Sequence, residues 1–294
     1  MCKLNKKRLA TFFYSVFRFL LIFGLCYLIL KPFIVQFLGA CMSVEDLNDI
    51  TVEKIPKHFS TFHWEKAIDM LQIPVAGMVT LTISIFSALI QVFVCALVGY
   101  GLARFEFPGK KLATILVIVI MLVPSQVYNI PQYLQFRNFG VFGLKVNLID
   151  SAWPMIILST VCLGLKQGLY IYLARSFFLG LPNDLENAAY IDGASIPRTF
   201  FSVMLPNART VLITIFLFSF CWHWTDTAFT SVYFSKATTL ASMVLQGNTG
   251  VSETLSKVMV QRASVLLIIV PLLILFMIFQ KFLVQSISRS GLAN

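Results

Sequence analysis

The side chains best suited to chemistry in this sequence are a short polar group, Trp222, His223 and Asp226, inside an otherwise apolar stretch. Aromatic faces beside hydrogen-bonding side chains commonly bind sugars, so this group could contact a solute. The same residues also fit a simpler role, because tryptophans settle at the headgroup level of a membrane and polar side chains there face water. Anchoring at the interface is the stronger of the two interpretations.

A second polar group, Tyr128, Asn129 and Gln132, lies in another apolar stretch. Its members either line a solute path or form hydrogen bonds between helices. Catalytic chemistry is not indicated, because the sequence has no clustered set of nucleophile, base and metal ligands. We therefore predict that this chain is not itself an enzyme.

Cofactor sites are likewise not indicated by the sequence. The six cysteines are scattered, mostly in apolar runs, and the three histidines have no metal-ligand spacing with cysteines or carboxylates. No glycine-rich loop ends in Gly-Lys-Ser or Gly-Lys-Thr, so the chain has no visible means of binding ATP. We expect no metal and no cofactor here, and if the chain uses ATP, a partner must bind it.

The most informative polar segment runs from Leu181 to Pro206. Pro182 suits the first turn of a helix, and Glu186 places negative charge near the positive end of its dipole. A pair of alanines favours helix, Gly193 would end it, and Pro197 suits the start of a second helix. This pattern predicts a helix-turn-helix with room for another protein surface, although a simple polar loop explains the spacing equally well.

The elements that carry these groups are predicted to be membrane helices. Hydrophobic residues make up 58% of the chain and charged residues 12%, with a mean hydropathy of +0.82, which exceeds what a soluble core needs. A bilayer core of about 30 Å takes roughly 20 apolar residues per helix. The matching runs are 75–103, 112–134, 151–178, 211–232 and 265–284, with an interrupted run at 12–38. We predict an all-α integral membrane protein with about six transmembrane helices.

Basic residues near helix ends predict the orientation, because lysine and arginine are retained on the cytoplasmic side. A basic cluster at 3–8 precedes the run at 12–38, which is too long for a secretory signal core and is interpreted as the first membrane helix. Six crossings place 104–111, 179–210 and the C-terminus inside, and the acidic segment 41–69 outside. The net charge of +10 follows from this topology and from attraction to anionic lipid, so no nucleic-acid partner is expected.

The stretch from Glu186 to Gly193, with Leu205-Pro206 a dozen residues later, closely resembles the EAA loop of the membrane subunits of ATP-binding-cassette importers. Within that family it is most similar to the carbohydrate, or maltose-type, branch. Further matches, in the family's order, lie at 100–111, 121–124 and 280–292. The resemblance therefore covers the chain from about residue 75 to the C-terminus, and weakly also the first helix.

The resemblance implies that the segment 180–207 is a cytoplasmic coupling loop that docks on a separate ATPase subunit. The residues carried over are Glu186, Asn187, Ala188, Ala189, Asp192, Gly193, Ala194, Leu205 and Pro206. The family usually has glutamate directly before the alanine pair, whereas Asn187 stands there and Glu186 comes one position earlier. Either Glu186 takes the charged contact with the ATPase, or an amide hydrogen bond replaces it.

The resemblance also implies the partners and the location. These are a second, related permease chain, two ATPase subunits and an extracytoplasmic solute-binding protein, in a bacterial inner membrane with both termini cytoplasmic. Closure of the ATPase dimer on ATP would move the membrane helices as rigid bodies and import a sugar or oligosaccharide by alternating access. The tail at 288–294 would either reach toward the ATPase or form a disordered end.

Two alternatives remain open from the sequence. One is an importer of the same fold for another solute, such as a peptide or phosphate. The other is a secondary transporter driven by an ion gradient, which normally needs intramembrane carboxylates, and Asp226 is the only acidic residue well placed for that. In either case we expect 1–74 to form the first helix and outer loop, and 75–294 to form the permease core.

Overall fold

The computed structural model describes residues 2–141, 144–236 and 239–290. Its contacts divide the chain into two compact units. The first comprises Met1–Leu71 and Gly247–Ile269, and the second comprises Gln72–Gln246 and Val270–Asn294. The division predicted from the sequence, between residues 74 and 75, stays a prediction.

Helices form most of the described chain. They are α1 (Cys2–Ala40), α2 (Val44–Asn48), α3 (Phe62–Leu71), α4 (Ile73–Arg104), α5 (Lys110–Leu122), α6 (Ser125–Arg137), α7 (Trp153–Thr160), α8 (Gln167–Leu179), α9 (Asp184–Ile191), α10 (Ile196–Thr199), α11 (Leu205–Asn207), α12 (Arg209–Trp224), α13 (Ala228–Tyr233), α14 (Leu240–Gln246) and α15 (Thr254–Ser290). A π-helical turn, Phe200–Met204, joins α10 to α11.

Within the described residues, three helical stretches are long and apolar enough to cross a membrane: Thr11–Ala40, Ile73–Arg104 and Thr254–Leu283. Two more crossings result if α5 with α6, and α10–α11 with α12, are each counted as one bent span. The mostly helical, multi-pass membrane architecture predicted from hydropathy is confirmed. The number of six crossings stays a prediction.

A short antiparallel hairpin departs from the all-α prediction. Strand β1 (Phe139–Val141) pairs with β2 (Leu144–Val146), and Phe139 lies opposite Val146. The aromatic and β-branched residues here suit a pleated surface, and Phe139 stacks on Phe136 with ring centroids 6.0 Å apart. The hairpin follows α6 directly and is too short to form a layer of its own.

Two apolar runs predicted as continuous helices each contain a break. In the run 112–134, Val123 is extended because the following Pro124 disfavours the α region for the residue before it. In the run 211–232, α12 ends at Trp224 and α13 begins four residues later. Asp226 explains this second break, because its carboxylate accepts hydrogen bonds from backbone N–H groups at the start of α13.

A third predicted run, 151–178, unwinds over residues 161–166, between α7 and α8. Cys162 and Lys166 adopt left-handed backbone conformations, with φ angles of 65° and 58°. Gly164, between them, is a crowded position, since an added Cβ would displace the side-chain amides of Gln91 and Gln167. The prediction of one uninterrupted helix over this run is therefore wrong.

The second unit is organised around α4, which packs against α8 and α12. Small residues allow close approach: a Cβ added at Gly99 would lie 2.6 Å from Cβ of Ala174. Apolar side chains fill the remaining space, including Tyr100, Phe178 and Ile215, all buried in one cluster. This packing fixes the end of α4 beside the segment that follows α8.

The first unit has its own small core. Four residues are fully buried together there: Ala40 of α1, Ala67 of α3, and Val260 and Ala263 of α15. Beyond this core, Asp46 is buried and accepts a hydrogen bond from the backbone N–H of His58 over 2.8 Å. That bond, helped by the His58 ring, lowers the pKa of the Asp46 carboxyl below its ordinary value.

Candidate functional site

Arg104, the last residue of α4, holds the segment that contains α9. Its guanidinium donates to the carbonyl oxygen of Leu181 over 2.6 Å and to the side-chain oxygen of Asn183. The guanidinium Nε also lies 3.5 Å from a carboxylate oxygen of Glu186, as an ion pair rather than an aligned hydrogen bond. One cation thus contacts three groups of the 180–207 loop.

Glu186 faces the protein interior. Only 8% of the Arg104 side chain and 11% of the Glu186 side chain are exposed, so the pair is nearly desolvated. The second carboxylate oxygen of Glu186 is buried and has no hydrogen-bond partner among the described residues. The neighbouring Asn187, in contrast, is exposed. In this structure the two candidates for the family's glutamate position therefore point in different directions.

An aromatic cluster lies beside the ion pair. The Tyr100 ring packs against Phe105, Phe178 and Phe200, with centroids 5.3, 5.5 and 5.0 Å away. These rings come from α4, the turn after it, α8 and the π-helical turn. Aromatic pairs at such separations contribute about 0.5–1.5 kcal/mol each beyond their area burial. The loop is thus attached to the helix bundle by packing as well as by charge.

Gly193 ends α9 with a complete Schellman motif. The N–H of Ala194 donates to the carbonyl of Ala189 over 2.9 Å, and the N–H of Gly193 donates to that of Tyr190 over 3.0 Å. Gly193 has a φ of 78°, which glycine adopts without strain. A Cβ there would meet nothing within 4 Å, so backbone conformation alone favours glycine.

The side of the loop turned away from the bundle is exposed and partly apolar. Ile191 is 86% exposed and Ile196 is 52% exposed, and Ala188, Asp192 and Gly193 are exposed with them. The two isoleucines are the large apolar side chains on this side of the loop. We call Asn187, Ala188, Ile191, Gly193 and Ile196 the exposed loop face.

The remaining loop residues predicted from the sequence are structural in this conformation. Ala189 is buried, and Ala194 is half-buried. Leu205 packs against the core cluster of the second unit, whereas Pro206 is exposed in the first turn of α11. The side chains predicted to act together thus divide into an inward set and an outward set.

A different polar group lies in the middle of the second unit, and its central member, Gln91, was not predicted from the sequence. This residue of α4 is fully buried and accepts a hydrogen bond from the hydroxyl of Ser219 over 2.6 Å. His223, one turn further along α12, places Nδ1 2.8 Å from the Ser219 carbonyl oxygen. Gln91 could have been found from the sequence, because a lone amide in an apolar helix needs a buried hydrogen-bond partner.

Gln167, at the start of α8, supports the unwound segment 161–166. Its side-chain nitrogen donates to the carbonyl oxygen of Ser159 over 2.7 Å, and its side-chain oxygen accepts from the N–H of Gly164 over 2.9 Å. Gln91 approaches the same segment, with its nitrogen 3.4 Å from the carbonyl oxygen of Leu165. The two glutamines therefore replace part of the helical hydrogen bonding that the break removes.

The polar residues predicted to form a solute path are not gathered at one point. Gln132 is buried and accepts a hydrogen bond from the Tyr233 hydroxyl over 2.8 Å, which is a bond between helices. Asp226 caps α13. Asn129 is half-buried, and its buried side-chain oxygen has no partner among the described residues. Gln132 and Asp226 therefore have local structural roles, and the described contacts show no role for Asn129.

Tyr128 and Trp222 border the unwound segment more directly. The Lys166 ammonium lies 5.0 Å above the Trp222 ring, which is 47% exposed. A cavity of about 500 Å³ lies between the α5–α6 break and the segment around Gln167, lined by Tyr128, Lys166 and other residues of both breaks. This volume is within the range of roughly 300–1,000 Å³ that small-molecule sites occupy.

Comparison with protein families gives one match to this chain. Residues 91–289 match the family described as binding-protein-dependent transport system inner membrane component. That range contains the whole 180–207 loop and both breaks beside the cavity.

Curated relatives and a solved structure agree with this match. The trehalose transport system permease protein SugB of Mycobacterium tuberculosis (strain CDC 1551 / Oshkosh) is 30% identical over 210 residues, which are 71% of this chain and 73% of that protein. The maltodextrin transport system permease protein MdxG of Bacillus subtilis (strain 168) is 26% identical over 212 residues, 72% of this chain and 73% of that one. A chain from a bacterial ABC transporter involved in the import of the acidic polysaccharide alginate has a TM-score of 0.71 at 19% identity, covering 91% of this chain and 95% of that chain. The last comparison shows a shared fold.

Proposed function

This chain belongs to the family of binding-protein-dependent transport system inner membrane components, and from that premise we propose that it is a permease subunit of an ATP-driven sugar or oligosaccharide importer. Solute crosses by alternating access, and a separate ATPase subunit supplies the energy. ATP and magnesium are bound by that subunit rather than by this chain.

One observation carries the coupling mechanism: the 180–207 loop is fastened to the bundle on one side and presents an apolar face on the other. Arg104 and the Tyr100 ring cluster connect the loop to the ends of α4 and α8. A partner that binds Ile191 and the rest of the exposed loop face would therefore move these helices together with the loop. Rigid-body transmission of this kind requires an attachment that does not yield when the partner closes.

The burial of Glu186 supports a division of labour at the departure from the family pattern. Glu186 supplies the internal attachment through Arg104, and Asn187, on the exposed loop face, supplies the polar contact with the ATPase. An amide both donates and accepts hydrogen bonds, so it can pair with either type of group on the partner.

The sugar assignment draws support from the relatives' names and from the chemistry around the unwound segment. Trehalose and maltodextrin appear in the names of two relatives. Tyr128 beside the cavity and Trp222 beneath Lys166 provide aromatic faces near hydrogen-bonding groups, which suits a hydroxylated solute. These two aromatics are the residues of the predicted solute path that we retain.

The assembly that follows contains this chain, a second related permease subunit, two ATPase subunits and an extracytoplasmic binding protein. The exposed loop face and both termini lie on the cytoplasmic side, as the basic residues at the helix ends predict. The tail at 288–294 was predicted to reach toward the ATPase, and its residues 291–294 lie outside the described part of the chain. That contact stays a prediction.

The proposal is tested by solute-stimulated ATP hydrolysis in proteoliposomes that contain this chain with its neighbouring permease, ATPase and binding proteins. Gly193→Asp places a side chain and a charge on the exposed loop face at a left-handed backbone position. We expect this variant to lose stimulation by the sugar-loaded binding protein or to lose the ATPase subunit altogether.

Gly250→Asp is the matched control. Gly250 also has a positive φ, 66°, and an added Cβ would meet nothing within 4 Å, so the same substitution brings comparable backbone strain in the first unit. Equal loss of stimulation in both variants would show that strain, rather than the loop, is responsible. Uptake that needs no ATPase and instead follows an imposed proton or sodium gradient would overturn the importer assignment.

A further inference from the structure

An open groove of about 720 Å³ lies between the first half of α5 and the side of α8. The two helices touch closely at Gly168, where an added Cβ would lie 3.0 Å from the carbonyl oxygen of Val117. Arg175, two turns further along α8, lines the groove together with Lys110 and Lys111 from the start of α5. The proposed transport cycle assigns no role to these three residues.

The groove carries more positive charge than the described residues neutralise. Glu106 is the acidic residue that lines it, and its carboxylate pairs with Lys110 over 2.7 Å. Neither Lys111 nor Arg175 has a carboxylate within ion-pair distance in the described ranges. The Nε atom of Arg175 is buried and has no hydrogen-bond partner there. Arg175 as a whole is only half-buried and lines the groove with Lys111, so an anion in the groove would pair with these two charges.

An apolar surface continues from the charged end of the groove. Phe107 and Ile115 line the groove itself, and Ile118 and Leu122 extend the same face of α5 with exposures of 38% and 68%. A small hydrophilic anion would use the charged end alone. An occupant with an anionic head and apolar chains would cover both parts.

We propose that this groove binds the phosphate of an anionic phospholipid, with its acyl chains lying along α5. The groove lies where α4 has just ended and α5 begins, so charged residues of the turn adjoin the apolar surface of a helix there. Guanidinium and ammonium groups form strong, charge-assisted hydrogen bonds with phosphate. The proposal depends on the membrane location of the chain and is independent of the transported solute.

Native mass spectrometry of the purified full-length chain tests the proposal. The chain is titrated in parallel with phosphatidylglycerol, with phosphatidylcholine and with inorganic phosphate. We expect phosphatidylglycerol to be retained more tightly than phosphatidylcholine, and Lys111→Gln and Arg175→Gln to weaken it roughly fivefold for each charge removed. Lys145→Gln, which removes an exposed lysine on the β1–β2 hairpin, should leave retention unchanged.

Two further variants guard against a folding artefact. Arg175→Lys keeps the charge and should retain most phosphatidylglycerol binding. Lys111→Gln alters an exposed side chain, so it decides the question if Arg175→Gln aggregates on size-exclusion chromatography.

Several results would overturn the proposal. Equal retention of the two lipids, or no effect of the Lys111 and Arg175 substitutions, would show that the groove does not select an anionic lipid. Displacement of phosphatidylglycerol by millimolar inorganic phosphate would identify free phosphate as the ligand. Loss of the lipid on assembly with the second permease subunit would identify the groove as a subunit interface. None of these outcomes alters the ATPase stimulation that tests the importer assignment.

Discussion

The two polar regions of the second unit use different chemistry. At the loop, one charged side chain, Arg104, contacts three groups at once and is packed beside a ring of aromatics. In the interior, Gln91 and Gln167 form neutral hydrogen bonds to a hydroxyl and to backbone around an unwound segment. Charged pairs that are desolvated resist separation, whereas neutral hydrogen bonds exchange partners at lower cost. The charged contacts therefore suit a fixed attachment of the loop, and the neutral hydrogen bonds suit a segment beside the cavity that can change conformation.

The largest expected effect comes from removing the charge at the loop. Arg104→Met would leave the Glu186 carboxylate buried without its counter-ion and should destabilise the chain by about 3 kcal/mol. The thermal unfolding midpoint of the purified complex is the measurement. Arg198→Met, which removes an exposed arginine from α10 of the same loop, is the matched control.

Combining Arg104→Met with Glu186→Leu should recover much of the lost stability, because no buried charge then remains unpaired. If Arg104→Met unfolds at the same temperature as Arg198→Met, the ion pair is not the attachment and the contrast between the two regions fails.

A crowding substitution tests the interior next. In Gly164→Ala the new Cβ would meet side-chain atoms of Gln91 and Gln167 at 2.2 and 2.6 Å, so the amides or the backbone must shift. Overpacking of this kind costs about 2 kcal/mol. We expect sugar uptake by the reconstituted complex to fall more than binding of the ATPase subunit. Gly101→Ala, at a helical position with nothing within 4 Å, should behave as wild type.

A smaller effect is expected from the neutral hydrogen bonds themselves. Gln91→Leu leaves the Ser219 hydroxyl without its acceptor and should cost about 1 kcal/mol, measured as unfolding midpoint. Adding Ser219→Ala removes the orphaned group and should restore most of the loss. A loss as large as that of Arg104→Met would mean that the interior is as rigidly fixed as the loop.

The smallest structural effect is expected on the exposed loop face. Asn187→Glu restores the family's usual residue at an exposed position, so stability should change by less than about 0.5 kcal/mol. Stimulated ATPase activity should stay at the wild-type level or rise, since a glutamate offers a charged contact there. Loss of folding in this variant would show that Asn187 supports the loop internally.

Hydropathy predicted three of the continuous membrane helices, because burial in lipid requires long apolar runs, and α1, α4 and α15 contain the runs at 12–38, 75–103 and 265–284. In the segment from Pro182 to Pro197 the structure has α9, a turn at Gly193 and the four-residue α10, and the cytoplasmic helix-turn-helix stays a prediction. The direction of Glu186 could not be predicted, because its partner Arg104 is distant in sequence and reaches it only through tertiary packing.

The breaks in the apolar runs were harder to predict than the runs. Pro124 carried a clear signal, since proline restricts the residue before it. In the unwound segment 161–166, Gly164 was the one sequence signal for a break. The conformation of this segment depends on amide side chains supplied by α4 and α8. The lone Gln91 in an apolar helix was a readable sign that a polar partner lay nearby.

The exposed loop face has a consequence for how the cell makes this protein. Ile191 is 86% exposed in the isolated chain, which is unfavourable in water until a partner covers it. A subunit made in excess over its ATPase would display this isoleucine to chaperones and proteases. We therefore expect surplus copies to turn over quickly, so that the abundance of the permease follows that of the ATPase.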